Sequence, residues 1–230
     1  MHILFFDIDG TLINTCGSGL TALKIAFTEV FGTPAPEEVA TAGRTDRAIA
    51  RDLFLGGGVE DSAEHWHRFS EAYMRHLTHQ LARRDGHVLP GVVALLERLS
   101  QRDDVALGLL TGNTPEGARI KLGHFGIDHY FRFGGFGDRH LDRNAVAQAA
   151  LEAARSAVDH ALSLDRVWVV GDTPLDIRCA RHIGARAVAV ATGMVPKPDL
   201  AEAAPDFLLD DLSQAEPWLQ WLGQGRSNAS

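Results

Sequence analysis

The chain has 230 residues, 45% of them hydrophobic and 23% charged, with a formal net charge of −8. Enough apolar surface is present to offset chain entropy, which excludes a disordered chain. The acidic balance argues against a nucleic-acid or anionic-membrane partner, either of which needs a basic face, but leaves room for a small phosphate ligand bound at a local positive site. Cys16 and Cys179 are too few for a disulfide framework and fit a reducing compartment. The apolar run at the N-terminus is too short for a signal peptide, and no stretch reaches transmembrane length. A cytoplasmic protein is expected, as a monomer or small homo-oligomer.

Ile3 to Phe6 is a continuous apolar run ending in Asp7, the pattern of a strand buried on both faces of a parallel sheet. From about residue 15 to 87 no such run occurs. Leu20, Leu23, Phe27, Val30 and Phe31 share one helical stripe, and Thr33 to Pro36 breaks it. Thr45 to Phe54 and Ser62 to Arg83 read as two more helices, punctuated by Gly56-Gly57-Gly58. The chain returns near His87–Gly91. Val92, Leu95, Leu96 and Leu99 mark a helix, and Val105–Leu110 a strand. An alanine-rich helix over 145–157, a strand over Val167–Val170, a helix opened by Pro174, and strands over Ala187–Ala191 and Phe207–Leu209 follow. Trp218, Trp221 and Leu222 have the spacing of a C-terminal helix packed on the core. This alternation predicts an α/β protein: a doubly wound parallel-sheet core from residues 1–14 and 88–230, a helical cap over 15–87, and a frayed tail at 223–230.

Ligands of open α/β sheets collect at the carboxyl ends of the strands. Three predicted strands end in Asp7-Ile8-Asp9-Gly10-Thr11, Thr111-Gly112-Asn113 and Asp172-Thr173-Pro174-Leu175-Asp176. If these loops face one crevice, Asp7, Asp9, Asp172 and Asp176 converge, and a hard divalent cation is the natural remedy for their repulsion. A single aspartate at a strand end is more often a helix cap or turn former; three strand ends with matching chemistry reduce the weight of that reading. Other features are weaker. His65 and His67 point to different helix faces, and His76 and His79 lack an acidic partner in sequence. Gly56-Gly57-Gly58 lacks the lysine of a phosphate-binding loop. Cys16 has no base beside it in sequence and fits a hinge position.

Asp7-x-Asp9-Gly10-Thr11-Leu12 after an apolar strand resembles the opening signature of haloacid dehalogenase superfamily phosphatases, and Thr111 and Gly171-Asp172-x-x-x-Asp176 resemble later motifs in the same order. The similarity spans nearly the whole chain and is greatest to the phosphoglycolate phosphatase-like branch, whose substrate-facing cap loop Gly43-Arg44-Thr45-Asp46 resembles. The resemblance implies a Mg²⁺-dependent phosphatase acting on a small phosphomonoester. Asp7 would be the nucleophile, and Asp9 the acid and then the base. Gly10, Thr11, Thr111, Gly112 and Asn113 would surround the phosphoryl group. Asp7, Asp172 and Asp176 would hold or support the metal, with Asp9 joining through its main-chain carbonyl. Arg44, Thr45 and Asp46 would face the leaving group. The family's usual motif lysine is absent at its expected spacing. Arg143 stands there instead, with Lys121 as the other candidate for the same work. Asp9 favours a phosphatase or phosphomutase over a dehalogenase. A sugar phosphomutase and a non-catalytic phosphometabolite sensor are the alternatives.

Overall fold

The computed structural model describes residues 1–158 and 162–224. Its core is a six-stranded, all-parallel sheet in the order β5-β4-β1-β6-β7-β8. The strands are β1 (His2–Phe6), β4 (Val105–Leu110), β5 (Gly134–Gly135), β6 (Val167–Gly171), β7 (Arg186–Val190) and β8 (Phe207–Leu209). Period-two alternation along β1 sends Ile3 and Phe5 to one face and Leu4 and Phe6 to the other, and each pair joins a separate hydrophobic cluster. Helices α6 (Arg143–Ala157), α7 (Pro174–His182) and α8 (Lys197–Glu202) cover the Ile3 face. Helices α4 (Val92–Ser100), α5 (Pro115–His124) and α9 (Glu216–Gln224) cover the other. Trp218 and Leu222 of α9 are buried, with Trp168 and Trp218 ring centroids 5.9 Å apart.

The sheet winds outward in both directions from β1. β4 lies on one side of it (Phe6 opposite Leu109) and β6 on the other (Phe6 opposite Val170). The crevice at this switch point is where an open α/β sheet binds its ligand, and the three motif-bearing strands are the three that meet there. β5 has no apolar run to announce it: Gly134 and Gly135 pair with Leu109 and Leu110 because only glycine fits so close to the β4 backbone and to α6.

A helical insert interrupts the sheet after β1. It comprises α1 (Ser18–Phe31), α2 (Asp46–Gly56) and α3 (Ala63–Leu81), and its two connections pair as a short antiparallel ribbon of β2 (Ile13–Asn14) and β3 (His87–Val88). The insert has its own hydrophobic cluster, in which Phe27, Phe31, Phe54, Phe69 and Tyr73 form a chain of ring contacts. Cys16 sits at the ribbon's edge, where its thiol donates to the Asp85 carbonyl at 3.3 Å. The tail residues 225–230 lie outside the described residues. Among the described residues, no helix is long and apolar enough to cross a membrane.

Phe54 touches three other rings of the insert, so Phe54→Ala should cost about 3–5 kcal/mol of stability. A urea unfolding midpoint unchanged from the parent would contradict the central place given to that ring.

Candidate active site

The parallel register of β1 and β6 places Asp7 and Asp172 beside each other, and the first turn of α7 brings Asp176 to the same point. Carboxylate oxygens of Asp7, Asp172 and Asp176 lie within 4.8 Å of one another, and all three residues are buried. This is the only group of at least three metal-capable side chains among the described residues. His67 lies 3.5 Å from Glu71, and His76 pairs with Glu29 at 2.5 Å, so these histidines have surface partners.

One guanidinium enters the acidic group. Arg143, the first residue of α6, is 3.1 Å from Asp7 Oδ1 and 2.5 Å from Asp176 Oδ1. The other oxygen of Asp176 accepts from the Thr173 N–H at 3.0 Å and the Thr173 hydroxyl at 2.7 Å, which fixes the carboxylate at the start of α7. Asp172 Oδ1 accepts from the Thr11 hydroxyl at 3.1 Å. Burial pushes the Asp7 carboxyl up to about 6, with Asp176 and Asp9 adding to the rise and Arg143 opposing it. Burial, Asp176 and Asp7 also raise Asp172 well above the ordinary carboxylate range. For Arg143, burial alone would lower the guanidinium, but Asp176 and Asp7 outweigh it and strengthen its hold on the proton.

The residues present fit a divalent cation. Three carboxylates against one guanidinium leave two negative charges in a buried site. The hard oxygen donors suit Mg²⁺ or a cation like it. A methyl added at Gly193 would come within 1.7 Å of Asp172 Oδ2, so only glycine lets the backbone pass this close to the carboxylate.

The Asp9 carboxylate stands apart from that group. Lys121, reaching over from α5, lies 2.8 and 2.6 Å from its two oxygens, and the Asn113 amide donates to Oδ2 at 2.8 Å. Lys121 also donates to Asn113 Oδ1 at 2.7 Å. Of the two cations that the sequence offered for one position, Arg143 meets Asp7 and Lys121 meets Asp9. Both line a cavity of about 310 Å³ between core and insert, with Asp7, Asp9, Gly10, Gly112, Asn113 and Asp172 on its wall.

Thr11, Thr111 and Asp176 stand behind the wall. The Thr111 oxygen accepts from the Asn113 N–H at 3.2 Å and from the Asn113 amide at 2.8 Å, so it orients Asn113. From the insert, Arg44 and Asp46 line the cavity, but the Arg44 guanidinium pairs with Asp52 at 2.5 Å. Thr45 does not line it. Its buried oxygen caps α2, accepting from the Ala48 N–H at 3.1 Å. The same loop docks the insert on the core: Asp46 N–H donates to the Gly112 carbonyl at 2.7 Å, Arg47 N–H to Gly137 at 3.0 Å, and the Thr114 N–H to Asp46 Oδ2 at 2.9 Å. Gly112 is required there, since a methyl would stand 2.0 Å from the Arg44 carbonyl oxygen. Cys179 is buried behind the site and its thiol is pushed up to about 12 by burial, which leaves it unreactive. Tyr73 is a cavity residue that sequence reasoning missed: its place on the apolar stripe of α3 reads as plain core.

A doubly wound α/β core with a helical insert after its first strand and an acidic cluster at its switch point defines a hydrolase of the haloacid dehalogenase type. Residues 4–190 match the family described as haloacid dehalogenase-like hydrolase, and the chain belongs to it. It is similar to the phosphoglycolate phosphatase of Synechococcus elongatus, with 30% identity over 220 residues covering 94% of this chain and 97% of that protein. It is also similar to phosphoglycolate phosphatase 1 of Pseudomonas aeruginosa, with 28% identity over 225 residues covering 94% of this chain and 79% of that one. CbbY from Rhodobacter sphaeroides, solved in complex with phosphate, shares the fold with a TM-score of 0.71 at 17% identity, over 94% of this chain and 96% of that one.

Burial also pushes Asp46 up to about 6, with Asp9 raising it further and Lys121 and the Thr114 N–H opposing. Its ordinary value is 3.8, so between about 4 and 6 the folded state holds a proton that the unfolded chain has released. The penalty of ionising Asp46 in the fold is thus absent at low pH and grows as pH rises through that window. Asp46→Asn should gain thermal stability relative to the parent from pH 4 to 6 and keep that gain above it. A difference in melting temperature that stays flat or shrinks over this range would contradict the assignment.

Proposed function

We propose that this chain is a Mg²⁺-dependent phosphomonoesterase that works through an aspartyl phosphate on Asp7, with 2-phosphoglycolate as its first candidate substrate. The observation that carries this reading is the buried Asp7–Asp172–Asp176 group with Arg143 at its centre and two negative charges left over. The names of the relatives support the substrate.

Asp7, Asp172 and Asp176 would hold or support the cation, with the Asp9 main-chain carbonyl completing the oxygen set. The cation would neutralise charge on the phosphoryl oxygens and on the crowded carboxylates. An Asp7 oxygen attacks phosphorus in line as the bond to the leaving oxygen breaks, and the proton of Asp9 goes to that oxygen. Water then attacks the phosphorus of the aspartyl phosphate. It gives its proton to Asp9, the bond to Asp7 breaks, and inorganic phosphate leaves. Arg143 orients Asp7 and meets developing charge on the phosphoryl group. Gly10, Thr11, Gly112 and Asn113 shape its surroundings, with Thr111 holding Asn113 in place. Lys121 and Asn113 hold Asp9 on the leaving-group side.

The insert, residues 15–87, acts as a cap that excludes water while the phosphoenzyme exists. Arg44, Thr45 and Asp46 form its docking loop, and Arg44 and Asp46 border the leaving group.

Asp7→Asn should abolish phosphate release and beryllofluoride trapping. Arg143→Ala should lower kcat by about 10²–10³ for every phosphomonoester, as loss of a transition-state donor does. Lys121→Ala should instead cost most with poor leaving groups and least with an aryl phosphate, because it acts beside Asp9. Steady-state phosphate release across a series of leaving groups checks this. Full turnover in Asp7→Asn would overturn the reading.

A further inference from the structure

The motif loops account for the ends of β1, β4 and β6 at the cavity, but a fourth strand end meets it too. The chain leaving β7 brings Thr192 and Gly193 to the wall, and no motif claims them. The Thr192 hydroxyl donates to the Gly10 main-chain carbonyl at 2.6 Å, across 182 positions of sequence. That bond ties the loop after β7 to the loop after β1. The two strands are not neighbours in the sheet, because β6 runs between them. The residue that follows β6 is Asp172, so the tie joins the two segments on either side of this carboxylate.

The contacts on Asp172 follow the same pattern. Its Oδ1 accepts from the Thr11 hydroxyl in the first loop. Its Oδ2 has a glycine backbone on each side: a methyl on Gly10 would stand 2.4 Å away and one on Gly193 1.7 Å. Gly10 has a φ of 82°, and its N–H donates to the Ile13 carbonyl at 2.9 Å. That N–H and the Asp9 carbonyl belong to one planar peptide group. The Gly10 carbonyl belongs to the next, whose own N–H, that of Thr11, makes only a long bond to Ile8 at 3.4 Å. Ile13 and Thr192 thus hold the peptide groups on both sides of the Gly10 α-carbon. Glycine is the residue with most freedom to turn at such a point, so these two bonds set the direction of the Asp9 carbonyl.

We infer that Thr192 is a positioning residue for the cation site: its hydroxyl ties the loop after β7 to the loop after β1, and so presets both the gap that holds Asp172 and the direction of the Asp9 carbonyl. The inference rests on the reading of these oxygens as a Mg²⁺ site and adds a residue that prepares it. Thr192 acts through Gly10 and Gly193 and gives no oxygen to the metal. Order already built into the fold is order that cation binding does not have to create, and the affinity gains by that amount.

Thr192→Val removes the hydroxyl and keeps the shape of the side chain. Calorimetric titration of the metal-free protein with Mg²⁺ should then show an affinity about five- to tenfold weaker than the parent's, the order set by one neutral hydrogen bond. Thr192→Ala removes the hydroxyl without putting a methyl in its place and should weaken binding to a similar degree, which keeps the test clear of a packing defect in the valine variant. Thr192→Ser keeps the donor and should recover most of the loss. The Mg²⁺ concentration for half-maximal phosphate release should rise by the same factor in the valine and alanine variants. A purely structural tie would lower the metal-free melting temperature and leave Mg²⁺ affinity where it was. That result, or equal weakening in the serine and valine variants, would overturn the inference. Absence of Mg²⁺ binding by the parent would overturn it together with the cation site. The expected pattern of Mg²⁺ affinities without phosphate release from any phosphomonoester would refute the hydrolase reading and leave the role of Thr192 standing.

Discussion

The structure is organised around a single electrostatic problem: buried carboxylates crowded at the ends of two adjacent parallel strands. Asp7 follows β1 and Asp172 follows β6, and neither can retreat. Strand register fixes the backbone of each, and Gly193 and Gly10 press against the Asp172 side chain. Arg143 relieves part of the charge and binds Asp176 into the arrangement. What remains raises the Asp7 and Asp172 carboxyls, which is the physical demand for a dication. A guanidinium suits this position because its planar fork spans two carboxylates at once, where an ammonium offers a point charge.

The second cation divides the labour of the site. Lys121 holds Asp9 away from the acidic group, so the two aspartates of one short motif have different electrostatic surroundings. Asp7 meets the Arg143 guanidinium and Asp9 the Lys121 ammonium. Asn113, fixed by Thr111 and bonded to both Asp9 and Lys121, joins the two halves. The sequence poses Arg143 and Lys121 as competitors for one role, because spacing along a chain does not show which carboxylate each side chain reaches. In three dimensions both are used.

The main strands are legible because a strand buried on both faces must be apolar throughout, as Ile3–Phe6 and Val167–Val170 are. The motif loops are legible because the carboxyl ends of those strands share one edge. β5 is not, since Gly134 and Gly135 are selected by close backbone approach and carry no apolar signature. Thr45 reads as a polar group offered to a ligand, but as the residue before a helix it serves as a cap. Tyr73 is hidden for the opposite reason: an aromatic residue at helical spacing looks like packing, and only the fold shows that its ring packs while its hydroxyl meets the cavity.

The β2–β3 ribbon has a further effect. Ile13 pairs with Val88 and Asn14 with His87, so the chain leaves the core and rejoins it at nearly the same point. To the sheet, the whole stretch between them amounts to one long loop on the path from β1 to α4. Its length and helix count place no demand on strand order or on the residues that follow β1, β4 and β6 at the cavity. An insertion point of this kind lets evolution exchange or remodel the insert while the carboxylate cluster of the core stays untouched.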